Sequence, residues 1–191
     1  MAAKSTLGNM VLCLTAVCLV CAALLGGVYS LTYQPIQDAA KKALTESISA
    51  VLPEGGELSE VQASSAEGID EYYILTDDSE PVAYAVKSTT NGFGGALTLM
   101  VGVLADGTVY NTSVLAHSET PGLGAKCTSD EAFMSQWQGL SPDTNLKVRK
   151  DGGDIDAITA STITSRAYTL AVANAVAMVK ALTPAGGSDN E

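Results

Sequence analysis

Between Asp156 and Ala167 the chain reads DAITASTITSRA, in which Thr159, Ser161, Thr162, Thr164 and Ser165 all carry a hydroxyl. A long Ala- and Val-rich segment follows at once, so these hydroxyls sit where a helix begins. Two kinds of chemistry suit that position. In the plainer one, Thr159, Ser161 or Thr162 accepts hydrogen bonds from the first free N–H groups and caps the helix. In the other, the same N–H groups and the positive end of the helix dipole, surrounded by hydroxyl donors, form a site for an anion such as a phosphate. Residue type and spacing leave both readings open.

Two further stretches are unusual. His117 to Lys126 read HSETPGLGAK, where Pro121 fixes the backbone and Gly122 and Gly124 permit close approach to something flat or bulky. A structural loop uses the same residues. His117 beside Glu119 reads as a hydrogen-bonded loop pair rather than an acid–base couple, and no other such pair presents itself. No catalytic residue and no independent substrate site are therefore assigned. Gly92, Gly94 and Gly95, in NGFGGALTL, lack the Gly-Lys-Ser/Thr sequence and the strand-to-helix setting of a phosphate-binding loop. Alone they read as a tight connection. His117 is the sole histidine, which excludes a histidine-rich metal site, and no metal is expected. Cys13, Cys18 and Cys21 lie in an apolar run, which leaves Cys127 without a partner for a disulfide in the rest of the chain.

The elements that must position these residues follow from the hydropathy pattern. Met10 to Leu31 contain no charge and are long enough, at 1.5 Å per residue, to span a hydrocarbon core of about 30 Å. This run exceeds a secretory apolar region, so an uncleaved anchor is expected over 1–33. Lys4 before it and Lys41 and Lys42 after it nearly balance, and leave its orientation open. Over 34–56 a connecting amphipathic helix is expected, with Ile36, Ala40, Ala43, Leu44, Ile48, Val51 and Leu52 on one face. A domain over 57–183 then opens with strand-like runs at 72–75, 81–88, 96–105 and 108–117. Asp77-Asp78 and Asp106-Gly107 turn between them, which predicts an antiparallel sheet. Ser129 to Trp137 predict a short helix capped by Ser129, and Leu146 to Lys150 one more strand. The last helix is expected over 162–182, packed on the sheet, with a disordered tail at 184–191. The fold class is thus α+β: one transmembrane helix followed by an antiparallel-sheet domain with packed helices. A net charge of −11 with only ten Lys and Arg argues against nucleic acid and against anionic lipid surfaces.

GFGG, HSETPGLG and DAITASTITSRA, in that order behind one N-terminal membrane helix, resemble the FMN-binding G subunit of the Rnf electron-transport complex. The resemblance implies FMN joined through its phosphate to a threonine hydroxyl by a flavin transferase that uses FAD and magnesium. The family's acceptor pattern is Asp, two residues, Ser/Thr, commonly Gly-Ala, then the acceptor threonine. It falls here on Asp156, Thr159 and Thr162, with Ala160 where Gly is usual and Ser161 where Ala is usual. Ser161 and Thr164 become neighbouring hydroxyls of the acceptor Thr162. The resemblance further implies that Glu119, Thr120, Leu123 and Gly124 lie near the flavin ring, and that the loop with Gly94 and Gly95 shapes the pocket. It implies a single-pass protein of the cytoplasmic (inner) membrane, N-terminus inside and soluble domain outside. Its partners would be the other iron–sulfur, flavin and membrane subunits of a complex linking ferredoxin and NAD⁺ to Na⁺ or H⁺ movement. The C subunit of the Na⁺-pumping NADH:quinone reductase shares the anchor and acceptor pattern, but is usually longer. A membrane-anchored scaffold without cofactor accounts for the anchor and the acidic surface, but not for the three ordered motifs.

Overall fold

The computed structural model describes residues 6–183; Lys4 and the expected tail at 184–191 lie outside the described residues. Helix α1 runs over Leu7–Val51 and passes through Pro35. A proline there removes one backbone bond and crowds the carbonyl four residues earlier, yet the apolar run and the segment after it form one helix. The chain divides into two units between Ala43 and Leu44. In the first, α1 is long and apolar enough to cross a membrane, and its most apolar 18-residue window has mean hydropathy 2.6 with nothing covering it. The amphipathic face expected after Pro35 is only half used: Ile36, Ala40 and Ala43 are exposed, whereas Ile48, Val51 and Leu52 are buried.

The second unit is built on an antiparallel sheet. Its strands are β1 (Glu57–Leu58), β2 (Gln62–Ala63), β3 (Ile69–Asp77), β4 (Glu80–Asn91), β5 (Ala96–Leu104) and β6 (Val109–His117). Their order is β1-β3-β4-β5-β6, with β2 also paired to β3. The four long strands lie where alternation and turn residues put them. Between β3 and β4, Asp78 and Ser79 both take positive φ, 48° and 73°, which matches the right-handed twist of a tight hairpin. β1 and β2 have two residues each, too few to show a period.

Side chains alternate across β4 and β5. Tyr84, Val86, Leu97, Leu99, Val101 and Val103 join one core with α3 (Thr162–Leu182). Ala83, Ala85 and Met100 point the other way and are covered by Ile48, Val51 and Leu52. Ala167, Ala171 and Ala175 bring α3 close to the sheet. The first core is closed by three aromatic rings, Tyr168 lying 5.0 Å from Trp137 and 5.1 Å from Phe133 by ring centroids. The Tyr168 hydroxyl bonds Thr112 Oγ1 at 2.7 Å.

Two local expectations need correction. The cap of α2 (Glu131–Ser135) is Asp130, whose carboxylate accepts from the Phe133 N–H at 3.1 Å, and not Ser129. Both residue types cap well, so the sequence did not separate them. Residues 146–150 form no strand. Val148 makes a single parallel bridge to Ile155, and Arg149–Asp151 form a 3₁₀ turn ended by Gly152 in the left-handed region. That reversal leaves too little extended chain for a ladder.

Candidate functional site

The approach to α3 is a stiff loop. Ile155 and Ile158 anchor it in the core. The side chain of Gln136 holds the Asp156 backbone from both sides, accepting from its N–H at 2.9 Å and donating to its C=O at 3.1 Å. Ser165, wholly buried, accepts from the Ile158 N–H at 2.9 Å and donates to the Ser161 carbonyl at 3.0 Å. One serine of the hydroxyl-rich stretch is therefore a structural tether. Between these anchors Ala160 takes φ 62°, in the region that favours glycine.

The capping expectation fails here. Ser161 occupies the cap position of α3, yet no side chain makes a capping hydrogen bond. The first bond within the helix is Ser165 N–H to Ser161 C=O, so the N–H groups of Thr162, Ile163 and Thr164 have no intrahelical acceptor. The Ser161 hydroxyl is buried without a hydrogen-bond partner. Buried hydroxyls are nearly always satisfied, so this one stands out, as does the indole N–H of Trp137 in the core.

Facing it is the loop 117–124. Glu119 is only 6% exposed; its carboxylate accepts from Phe93 N–H at 2.8 Å and Gly94 N–H at 3.3 Å. His117 Nδ1 accepts from the Glu119 backbone N–H at 3.2 Å, which is the loop pair expected from sequence. Two glycines are demanded by space. A Cβ on Gly94 would meet the Ser118 carbonyl at 2.0 Å; one on Gly124 would meet Glu119 Oε2 at 2.4 Å and Thr164 Oγ1 at 2.7 Å. Cys127 lies beneath. Burial, with the charge of Glu119 adding, pushes its thiol up to about 11 and leaves it neutral and unreactive.

Between loop and helix lies a cavity of about 330 Å³ lined by Phe93, by Glu119, Thr120, Leu123 and Gly124, and by Ala160 to Thr164. That lies at the lower end for a cofactor-sized ligand. A roomier hollow of about 630 Å³ lies near β1 and the β3–β4 turn, but it is lined by carboxylates and hydroxyls such as Glu57, Asp77, Ser59 and Ser79. It has neither apolar walls suited to a ring nor cationic side chains. Among the described residues no cation lines the first cavity, but one reaches a residue of its lining and two others are paired nearby in the chain. Arg149 pairs with Asp156, and Arg166 donates to Asp151 at 2.7 and 2.6 Å, holding that carboxyl below its usual range. Lys150 Nζ donates to Thr162 Oγ1 at 3.4 Å.

Of the residues singled out from sequence, Glu119, Thr120, Leu123, Gly124, Ser161, Thr162 and Thr164 share this one lining. Gly94 stands behind it, supporting Glu119, and Gly95 lies against the Ser118 side chain. Asp156 and Thr159 are exposed and outside the lining; Asp156 works through Arg149 and Gln136. Sequence reasoning missed Phe93, Ile163 and Lys150. The first is one of only two phenylalanines and 68% exposed beside glycines, a visible signal. Lys150 was hidden in a stretch read as a strand.

A family model described as an FMN-binding domain matches residues 92–177. The G subunit of the ion-translocating oxidoreductase complex of Shewanella baltica is 42% identical over 110 residues, 54% of this chain and 52% of that protein. The G subunit of the proton-translocating ferredoxin:NAD(+) oxidoreductase complex of Clostridium ljungdahlii is 37% identical over 118 residues, 61% of this chain and 63% of that one. This chain thus aligns with between half and two thirds of these two relatives. With the G subunit from Shewanella amazonensis the match is 34% over 197 residues, 93% of this chain and 90% of the relative. Among solved structures, Shewanella oneidensis NqrC matches at 19% identity and TM-score 0.44, over 63% of this chain and 69% of that one. The chain belongs to the family of G subunits of ion-translocating oxidoreductase complexes, whose FMN-binding domain it carries.

Proposed function

We propose that this chain is a membrane-anchored flavoprotein subunit that relays electrons within an ion-translocating oxidoreductase complex, carrying FMN on Thr162 through a phosphoester bond. The observation that carries the reading is the convergence at Thr162. Thr162 and the unpartnered Ser161 line the cavity beside the free N–H groups of the first turn of α3, and Lys150 donates to Thr162 Oγ1. Such a set suits a phosphate. The rest of the lining, with Phe93, Leu123 and Ile163, suits a flat apolar ring. The residues present therefore fit FMN.

When bound, the flavin supplies the redox chemistry. The chain's own residues do the holding. Glu119 ties the loop at 92–94 to the loop at 119–124 and keeps both walls in place. Asp156 and Thr159 belong to the turn that presents Thr162, and Gln136 and Ser165 hold it by hydrogen bonds. Attachment by a flavin transferase using FAD and magnesium joins the Thr162 oxygen to the FMN phosphorus. It breaks the anhydride bond of FAD, releases AMP and frees the hydroxyl proton. A covalent link keeps the carrier from diffusing away outside the cytoplasmic membrane, with the N-terminus of α1 inside. Partners are the other subunits of the complex, between reduced ferredoxin and NAD⁺ and coupled to Na⁺ or H⁺.

The test is colour. Protein made together with the transferase and precipitated with acid should keep its yellow in the pellet. A colourless pellet favours a scaffold without cofactor.

A further inference from the structure

Five of the chain's ten cations, Lys126, Lys147, Arg149, Lys150 and Arg166, fall within about forty residues of a molecule whose net charge is −11. Three of them surround the start of α3, and two of those are engaged by carboxylates, Arg149 by Asp156 and Arg166 by Asp151. Lys150 makes no ion pair among the described residues and is turned to Thr162 Oγ1 instead. At 3.4 Å this is a long hydrogen bond, weaker than one at the usual distance.

The backbone under Lys150 is well held. The Arg149 N–H donates to the Ile155 carbonyl at 2.9 Å, Val148 bridges Ile155, and Asp151 is clamped by Arg166 from α3 itself. The lysine therefore rides on a 3₁₀ turn fastened to the helix whose N-terminus it faces. Ser161 contributes the second, independent observation. It is 7% exposed, lines the cavity and has a hydroxyl without a partner. Glu119 also lines the cavity, and its carboxylate is held by the N–H groups of Phe93 and Gly94.

We propose that Lys150, the Ser161 hydroxyl and the N–H groups of the first turn of α3 form one phosphate cradle. It binds the phosphate of a flavin nucleotide before any bond to Thr162 exists. Lys150 is the positioning residue that brings the phosphorus to the Thr162 oxygen. The proposal rests on Thr162 being the flavin acceptor, and it adds how that hydroxyl is selected from its neighbours. Lys150 bonds Thr162, whereas the Ser165 hydroxyl is spent on the backbone and Thr164 Oγ1 lies against Gly124. The empty cradle also carries a cost, because an unsatisfied buried hydroxyl weakens the fold until a phosphate arrives.

Full-length protein made without the transferase, in detergent, provides the first measurement, with inorganic phosphate and FMN as probes. Both should raise its melting temperature. Ser161→Ala should melt about 4 °C higher than wild type when empty, and gain less from either probe. The second measurement is the rate at which transferase and FAD load each variant, followed by intact mass. Lys150→Gln should load about tenfold more slowly, and Lys150→Arg should recover most of that loss. Equal loading of wild type and Lys150→Gln, or an empty Ser161→Ala less stable than wild type, overturns the cradle. A wild type that binds phosphate yet never gains flavin mass supports the cradle and sinks the acceptor reading instead. A wild type whose melting temperature neither probe moves sinks the cradle.

Discussion

Ala160 is where this chain departs from the acceptor pattern that the resemblance implies, and its backbone takes a conformation that favours glycine. With φ at 62°, its methyl group crowds the following carbonyl. Ala160→Gly should therefore stabilise the protein by about 0.5–1 kcal/mol, despite the extra chain entropy of glycine, as read from the urea midpoint. A lower midpoint would mean the loop is not strained at this residue. The neighbouring departure, Ser161, stands where alanine is usual and brings the buried, unpartnered hydroxyl. At this scale much of the site was legible. Glu119, Thr120, Leu123, Gly124, Ser161, Thr162 and Thr164 were named through the resemblance that their motifs carry, and one cavity gathers them. What stayed hidden were long-range pairings. Glu119 bonds Phe93, 26 residues earlier, and Lys150 reaches Thr162 across a turn that looked like a strand.

Loops 92–95 and 117–124 work as a pair, because glycines of the first make room for Ser118 and Glu119 of the second. Gly124 is a close junction too, wedged between the Glu119 carboxylate and Thr164 of α3. Gly124→Ala should push Glu119 from its two N–H donors, destabilise the domain by about 1–3 kcal/mol and abolish most flavin loading. A variant that loads normally and melts like wild type would show that the loop has room to spare. The long elements were readable because period and punctuation agree: alternation and Asp-Gly mark β5 and β6, and a small-residue run marks α3. Two-residue strands and the 3₁₀ turn were not, since they are too short to show a period, and adjacent Ser129 and Asp130 cap equally well by type.

In the whole molecule, the sheet of the second unit needs cover on both faces, and the last turns of α1 provide one of them. Ile48, Val51 and Leu52 bury Leu75, Ala83, Ala85 and Met100, with each large side chain contributing about 1.5–3 kcal/mol. A chain beginning near residue 40 should be soluble and fold cooperatively, whereas one beginning at residue 57 should aggregate through the uncovered face, as size-exclusion chromatography would reveal. Equal behaviour of the two would show that this end of α1 is dispensable. Anchor, sheet and acidic surface all frame one claim, that a flavin is held at the start of α3. Its most direct test is peptide-level mass spectrometry of protein made with the transferase. The account predicts a mass increase of one FMN less one water, assigned by fragmentation to Thr162 and absent from Thr162→Ala. The same increase on Thr159, Ser161, Thr164 or Ser165, or its persistence in Thr162→Ala, would contradict it.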